Sequence, residues 1–361
     1  MANVLDLRRR IRSVKSTRQI TKAMKMVSAA KLRRAQERAM AARPYAQMIT
    51  SVLESLTRRI EIIDPETGNL RHPLFAQRPE KKVLLIVVSG EKGFAGAFNT
   101  NILKASFQFI AANAGKEIDI EAVGRKAREQ MRRRYPAAIY TETTGENPAD
   151  FEALTIRTRD RKAPIEVTGD HPGLLDKLTS DKVFEFAEEV ISRYVGEEID
   201  ACYLVYNEFK SVIQQRIVVE RLLPLIAVGK QQVTEAVEPT LEERERAAEA
   251  AISAGVSLEA ADTEEADAEA QKFGTAEVDY IYEQPAEELF NGLLPRYVSA
   301  MLYHALAESV AAEHAARMTA MDSATNNASD MIDSLTLYMN RVRQAAITKE
   351  IIEIVSGAAA L

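Results

Sequence analysis

The first sixty residues carry apolar side chains at a helical spacing. Steps of three or four residues place side chains on one face of an α-helix. The positions are Val4, Leu7, Ile11 and Val14, followed after a shift by Ile20, Met24 and Val27. Such a shift predicts a stutter in a coiled coil. Pro44 has no backbone donor and is expected to kink or interrupt the helix. We therefore predict an N-terminal helix over residues 1–60.

A longer helix is predicted at the other end of the chain. Between Pro295 and Gly357 there are 61 residues with no glycine or proline, enough for a helix of about 90 Å. Small and apolar residues recur along it every three or four positions. The stripe contains Ala307, Ala311, His314, Met318, Met321, Thr325, Ala328, Ile332, Leu335, Met339, Val342 and Ala346. A second stripe of Ile347, Ile351, Ile354, Ala358 and Leu361 continues to the end. We predict one helix over residues 285–361.

The two terminal helices are predicted to pair with each other. A helix of this length exceeds an ordinary domain and needs a partner for its apolar stripe. Burying one Leu or Met contributes about 1.5–3 kcal/mol, against about 0.2–0.5 kcal/mol for an exposed charge pair. The stripe therefore decides the pairing. Because the helices lie at opposite ends of the chain, we expect an antiparallel coiled coil.

The middle of the chain changes period and predicts an α/β domain over residues 80–228. Residues 82–89 form a continuous apolar run, which is typical of a strand buried on both faces. Strands and helices alternate after it, and this order favours a mostly parallel, Rossmann-like sheet. Further strands are predicted at 118–123, 199–206 and 213–223, and helices at 101–114, from 124 and at 180–194. Residues 141–173, rich in Thr, Asp, Gly and Pro, are predicted to be a loop.

Charge is distributed unevenly along the chain. Residues 1–43 contain thirteen Lys and Arg against two acids, whereas residues 235–270 contain twelve acids against two arginines. The acidic stretch is biased towards Ala and Glu, with a loose helix expected at 241–253. Because it has little apolar surface to bury, we predict that residues 229–276 are a solvated, low-complexity insertion.

Few residues point to catalysis. A glycine-rich loop at residues 89–96 follows a buried strand, the place where α/β folds bind phosphate. It lacks the Gly-Lys-Ser/Thr ending of a P-loop and is not G-x-G-x-x-G, so a tight structural turn is the favoured interpretation over nucleotide binding. Cys202 is expected to be a small buried hydrophobe. The four histidines have no metal-ligand spacing, and we predict no catalytic residue, cofactor or metal.

The basic N-terminal arm leaves its partner open. Nucleic acid, a membrane surface and an acidic protein sleeve would each attract a cationic helix. The arm has no aromatic residue before Tyr45 on which a base could stack.

Two terminal motifs resemble the gamma subunit family of bacterial F-type ATP synthases. Residues 11–31 read IRSVKSTRQITKAMKMVSAAK and resemble that family's opening helix. Residues 341–360 read RVRQAAITKEIIEIVSGAAA and resemble its closing signature. Residues 88–99 and 280–283 resemble the strand-loop-helix and the segment that enters the last helix. The length of residues 231–274 departs from the usual bacterial linker.

The resemblance implies a rotor without catalytic sites. The family's fold is an antiparallel coiled coil with an α/β domain at its base. One copy passes through a hexamer of alpha and beta subunits, and its base binds epsilon and the membrane c-ring. It would transmit torque from proton or sodium flow to the beta subunits at the cytoplasmic face of the inner membrane, and touch the membrane only through the c-ring. The alternatives are a non-motor coiled-coil scaffold, with or without nucleic acid, and a nucleotide-binding α/β enzyme.

The resemblance also implies contact residues. Met24, Arg317, Arg343, Gln344 and Thr348 should face beta subunits. Tyr280 and Glu283 should face the c-ring. The insertion contains no cysteine, so thiol switching of the kind found in some photosynthetic relatives is excluded for it.

Overall fold

Two long helices and a mixed sheet make up the computed structural model. It describes residues 4–59, 72–146, 153–229, 232–257 and 282–358. The helices are α1 (Val4–Arg59), α2 (Phe98–Ala112), α3 (Arg125–Arg134), α4 (Ser180–Val195), α5 (Leu241–Ala254) and α6 (Ala286–Ala358). The strands are β1 (Lys82–Val88), β2 (Glu117–Val123), β3 (Ile139–Glu146), β4 (Ala153–Asp160), β5 (Ile165–His171), β6 (Ala201–Phe209), β7 (Gln215–Leu223) and β8 (Gln232–Val237). The α/β class with terminal helices is confirmed.

The main sheet has the strand order β5-β2-β1-β6-β7-β8. The first four strands are parallel, and β6-β7 and β7-β8 are antiparallel. The central strand β1 is buried on both faces, because Leu85 and its neighbours have almost no exposed surface. One face packs on α2 and α3. The other packs on α4 and on the lower parts of α1 and α6, so the sheet holds both long helices at its base.

Helices α1 and α6 are antiparallel, as predicted. Thr325 Oγ1 donates to Thr21 Oγ1 at 2.8 Å, and Lys25 Nζ donates to Asp322 Oδ1 at 2.8 Å. The residue numbers therefore fall on α6 as they rise on α1. The pair is called the shaft below.

The predicted stutter in α1 is wrong. The residues of α1 that face α6 keep steps of three and four throughout, but several of them are polar. They are Val4, Leu7, Ile11, Val14, Arg18, Thr21, Lys25, Ser28, Leu32 and Ala35, all buried or half-buried. Ile20 and Val27 lie off this seam and are each 57% exposed. The heptad register continues because hydrogen bonds and an ion pair replace apolar contact in the middle of the seam.

Of the two outcomes expected at Pro44, a kink or an interruption of the helix, the interruption is wrong. The helix runs through Pro44 to Arg59. A proline removes one backbone hydrogen bond, whereas the turns beyond it bury Ile49, Leu53 and Leu56 in the core. Burial of three large side chains outweighs the lost bond.

Two segments whose composition predicted a loop and a solvated insertion contain strands and a packed helix instead. Within residues 141–173, predicted as loop, β3 and β4 form an antiparallel hairpin and β5 joins the main sheet. The prediction missed that Thr is β-branched and suits strands. In residues 229–276, β8 pairs with β7, and α5 buries alanines against the shaft. The solvated-insertion prediction is therefore wrong for its first part; residues 258–281 lie outside the described residues.

Candidate functional site: the shaft and its junction with the sheet

The seam of the shaft contains a buried ion pair at mid-height. Lys25 and Asp322 are each 7% exposed, and their charged atoms are 2.8 Å apart. Arg18 Nη1 donates to Ser329 Oγ at 3.5 Å, about two turns further along both helices. A buried pair fixes register, because any slip leaves both charges desolvated without a partner. The polar section therefore sets the alignment of α1 against α6.

The glycine-rich loop after β1 docks against α6. Gly90 N donates to Asn99 Oδ1 at 2.9 Å. A Cβ on Gly90 would lie 2.8 Å from the carboxylate of Glu313 on α6, so a larger residue would have to displace that side chain. The loop thus joins the sheet to the shaft.

Side chains of the glycine-rich loop accept hydrogen bonds from the start of α3, the helix that follows β2. Arg125 N donates to Glu91 Oε2 at 3.2 Å, and Ala127 N donates to Ser89 Oγ at 2.5 Å. Glu91 Oε1 also accepts from Gly173 N at 2.6 Å. Burial raises the pKa of Glu91, although the two backbone N–H groups favour its charged form. These hydrogen bonds tie the loop to α3 and to Gly173, just after β5, and support its interpretation as a structural turn.

Arg317, predicted to face a partner, is held inside the chain. It is 7% exposed and pairs with the Glu313 carboxylate. Its Nε donates to Gly93 O and its Nη2 to Lys92 O, each at 3.3 Å. Burial, then the adjacent Arg317, lowers the pKa of His314 to about 4, so at neutral pH Arg317 faces a neutral ring. The arginine thereby links the loop to α6.

Met24 lies at an open groove beside this junction. Met24 is half-buried, and the groove has a volume of about 730 Å³. Its apolar surface includes Ile20, Val27 and Phe94, of which Phe94 is 75% exposed. Charged residues also line it, with cations in the majority: Lys31, Lys92, Arg125, Lys126 and Arg317, against the acids Glu91 and Glu129. An apolar surface with basic groups suits an amphipathic acidic partner segment.

The tip of α6 extends beyond α1. Val342 is half-buried, whereas every residue from Arg343 to Ser356 is exposed, including the predicted contacts Arg343, Gln344 and Thr348. Sixteen residues of helix, 343–358, correspond to about 24 Å. Ile347, Ile351 and Ile354 are 49%, 55% and 71% exposed. Large aliphatic side chains exposed along a single helix indicate a surface for a partner.

The two residues predicted to face the c-ring cannot both be located. Glu283 is exposed just before α6 begins. Tyr280 lies outside the described residues.

Within the described ranges, no group of three His, Cys, Asp or Glu side chains could hold a metal ion. No helix among those ranges is both long and apolar enough to span a bilayer.

Comparison with known proteins places the whole chain in one family. A sequence model of the ATP synthase family matches residues 3–361. The ATP synthase gamma chain of Solibacter usitatus is 43% identical over 360 residues, covering 100% of this chain and 99% of the relative. The chain belongs to the ATP synthase gamma chain family. The family member from Pelotomaculum thermopropionicum is 40% identical over 361 residues and is covered completely in both directions.

The fold is shared with a chain of a solved structure. A chain in the cryo-EM structure of the Euglena gracilis mitochondrial ATP synthase, containing OSCP, F1 and the c-ring, superposes with a TM-score of 0.52 at 17% identity. The superposition covers 99% of this chain and 94% of that chain. The two bacterial gamma chains align with this one over nearly their whole length. These relatives therefore have nearly the same length as this chain, and the alignments include the region of the insertion.

Sequence reasoning missed the polar residues of the seam. Lys25 and Asp322 continue the steps of three and four on their helices, but a search for apolar side chains passes over them. A search that followed the helical spacing and allowed polar residues would have found which residues of α1 and α6 face each other. Sequence reasoning also missed a buried network of charged side chains. Its acids are Asp119, Glu121 and Glu166, each at most 2% exposed, and they pair with three arginines. These are Arg159 and Arg161, on and just after β4, and Arg193 of α4.

Proposed function

We propose that this chain is the rotating central shaft of an F-type ATP synthase and transmits torque between the membrane c-ring and the alpha/beta hexamer. The main support is the shaft itself, a 73-residue helix that is paired below, single at its tip and seated on a sheet. Such a rod can pass through a ring of subunits while its base projects outside. Family membership over the whole chain supports the same role.

The chain acts in this proposal as a non-catalytic subunit, with nucleotide chemistry on the beta subunits. One copy is present in each complex, and epsilon and the c-ring bind the base at the cytoplasmic face of the membrane. Torque transfer requires that the sheet and the shaft turn together. The junction between Arg317, Glu313 and the glycine-rich loop connects them through buried contacts.

The contact surfaces follow from exposure and charge. Arg343, Gln344 and Thr348 on the exposed tip would contact beta subunits, as would Met24 at its groove. Arg317 would contact beta only if its buried pair opened, so its main role is at the junction. Glu283, and Tyr280 by its place in the sequence, would face the c-ring.

Single-molecule rotation tests the role directly. The chain is co-expressed with alpha and beta subunits from its own genome, and a bead is attached to the base. We expect rotation in one direction that depends on ATP. A stable alpha/beta assembly that excludes the chain would refute the proposal.

The tip contacts are tested in the same assay. Arg343→Ala with Gln344→Ala is expected to reduce torque and coupling, because both side chains are exposed where a partner would bind. Arg341→Ala removes another exposed cation, two residues away, and serves as the control. Equal rotation by both variants would contradict the proposed contact.

A further inference from the structure

Helix α5 forms a third helix beside the shaft. Its buried face consists of Ala247, Ala250, Ala251 and Ala254, of which Ala250 and Ala251 are completely buried. Ala247, Ala251 and Ala254 belong to the same cluster as Ala29 and Leu32 of α1 and as four residues of α6, Ala311, Ala312, Ala315 and Met318. Alanine methyl groups allow helix backbones to approach closely. At this height the shaft is therefore a bundle of three helices.

The C-terminal end of α5 is tied to the buried ion pair of the seam. Ser253 Oγ lies 3.1 Å from Lys25 Nζ and 3.1 Å from Asp322 Oδ1. Arg33 donates to the carbonyl of Gly255, the C-cap of α5. Cations at a helix C-terminus are stabilised by the unpaired carbonyl groups there. One hydroxyl thus joins both partners of the pair that sets the register of α1 and α6.

The N-terminal end of the same segment is tied to the edge of the sheet. Strand β8 pairs with β7 from Ile217↔Val237 to Arg221↔Gln232. Glu238, directly after β8, pairs with Arg216 of β7 at 3.7 Å and with Arg244 of α5 at 3.2 Å. Residues 232–255 therefore run from the sheet edge to the middle of the shaft with contacts at both ends.

Helix α5 is complete as a unit. Thr240 and Glu243 form a capping box at its start, and Gly255 ends it in the left-handed conformation at φ 66°. These caps satisfy groups that a helix leaves unpaired at its ends. Its large apolar side chains, Leu241 and Ile252, face solvent at 78% and 66% exposure. Its attachment to the shaft therefore depends on small side chains and the polar contacts at its C-terminus.

We infer that residues 232–255 are a strut that joins the sheet edge to the shaft, so that base and shaft twist as one body. The torque-transmitting part of this inference rests on the proposed function. Lys25 and Arg33 project towards α5 from one flank of α1, whereas Ile20 and Val27 lie on the other flank beside the groove. The strut therefore leaves the groove at Met24 open to a partner. It adds a further mechanical connection to the packing of α1 and α6 on the sheet and to the loop junction at Arg317.

The test uses neighbouring substitutions on opposite faces of α5 in the assembled complex. Ala251→Asp puts a charge into the buried interface and is expected to detach α5. Ile252→Asp puts the same charge on the exposed face and is the matched control. Hydrogen exchange of amides 241–254 should rise at least about tenfold in the first variant and remain near wild type in the second. Equal exchange in both would overturn the docked position of α5.

The mechanical consequence is measured on single complexes. With the hexamer fixed and stalled, the angular variance of a bead on the base should rise for Ala251→Asp and not for Ile252→Asp. Cross-linking Arg33→Cys to Ser253→Cys with a flexible thiol reagent should lower the variance again in the Ala251→Asp chain. Unchanged variance despite detachment, or no rescue by the cross-link, would overturn the strut. If the wild-type complex did not rotate, the proposed function would fail while the exchange result still decided the docking.

Discussion

Arg317 provides the sharpest test of whether this shaft is built around internal contacts. Arg317→Met keeps most of the side-chain length and removes the charge. It leaves the Glu313 carboxylate, whose side chain is 7% exposed, buried without its cation. The carbonyls of Lys92 and Gly93 lose their donor in the same step.

The expected cost follows from burial. Removing one partner of a buried pair destabilises a protein by about 3–5 kcal/mol, because the remaining charge stays desolvated. Arg343 is exposed, and Arg343→Met should change stability by no more than about 0.5 kcal/mol. Neutralising the orphaned acid with Glu313→Gln should recover a large part of the loss in the double variant.

Urea unfolding of the isolated chain, followed by helical circular dichroism, measures these differences. A cost below about 1 kcal/mol for Arg317→Met would refute the reasoning, since it falls outside the range for a broken buried pair. If that variant kept its stability but bound alpha and beta subunits less tightly, Arg317 would act at a partner instead. Destabilisation without recovery in the double variant would show that the carboxylate is not the group left unpaired.

Three further predictions concern the sheet. Gly124 has φ 88°, and a Cβ there would lie 2.1 Å from Ser89 O, so Gly124→Ala should cost at least about 2 kcal/mol in urea unfolding; Gly115→Ala, with open space around it, should be nearly neutral. Cys202 is fully buried, and burial raises the pKa of its thiol, so thiol reagents should label it only after unfolding, and rapid labelling of the native chain would contradict this. Burial raises the pKa of the Glu220 carboxyl to about 7, whereas in the unfolded chain it is about 4.3. Between these two pH values the folded state binds a proton that the unfolded state has lost. The free energy of unfolding should therefore fall as pH rises through this window. Glu220→Gln should remove that part of the pH dependence, and an unchanged pH profile of urea unfolding would argue against it.

The spacing of apolar residues was sufficient to predict an element where that element's own side chains determine which of its faces is buried. The run that became β1 and the helix that became α4 were predicted within a few residues, because each carries its period in its own side chains. The stripe on α6 was also predicted, and its members are buried or half-buried as far as Val342. The family resemblance depended mainly on the two terminal motifs, with residues 88–99 and 280–283 in agreement.

Local pattern failed where a distant partner supplies the stabilisation. The β3-β4 hairpin has few large apolar side chains, yet Arg159 on β4 pairs with Asp119 and Glu166 in the main sheet. Helix α5 was expected to be solvated because alanines offer little surface to bury. Their small size is what lets α5 pack closely on the shaft.

The amino-acid sequence by itself determined the two long helices, their antiparallel pairing and the α/β class, since these depend on periodicity and on the order of elements. Only the tertiary structure decided how the pair is aligned and attached. Lys25 and Asp322 lie 297 residues apart, and Arg317 meets the loop of β1 across 224 residues. No local period encodes such contacts, because each forms only when folding brings together two partners that lie hundreds of residues apart in the sequence.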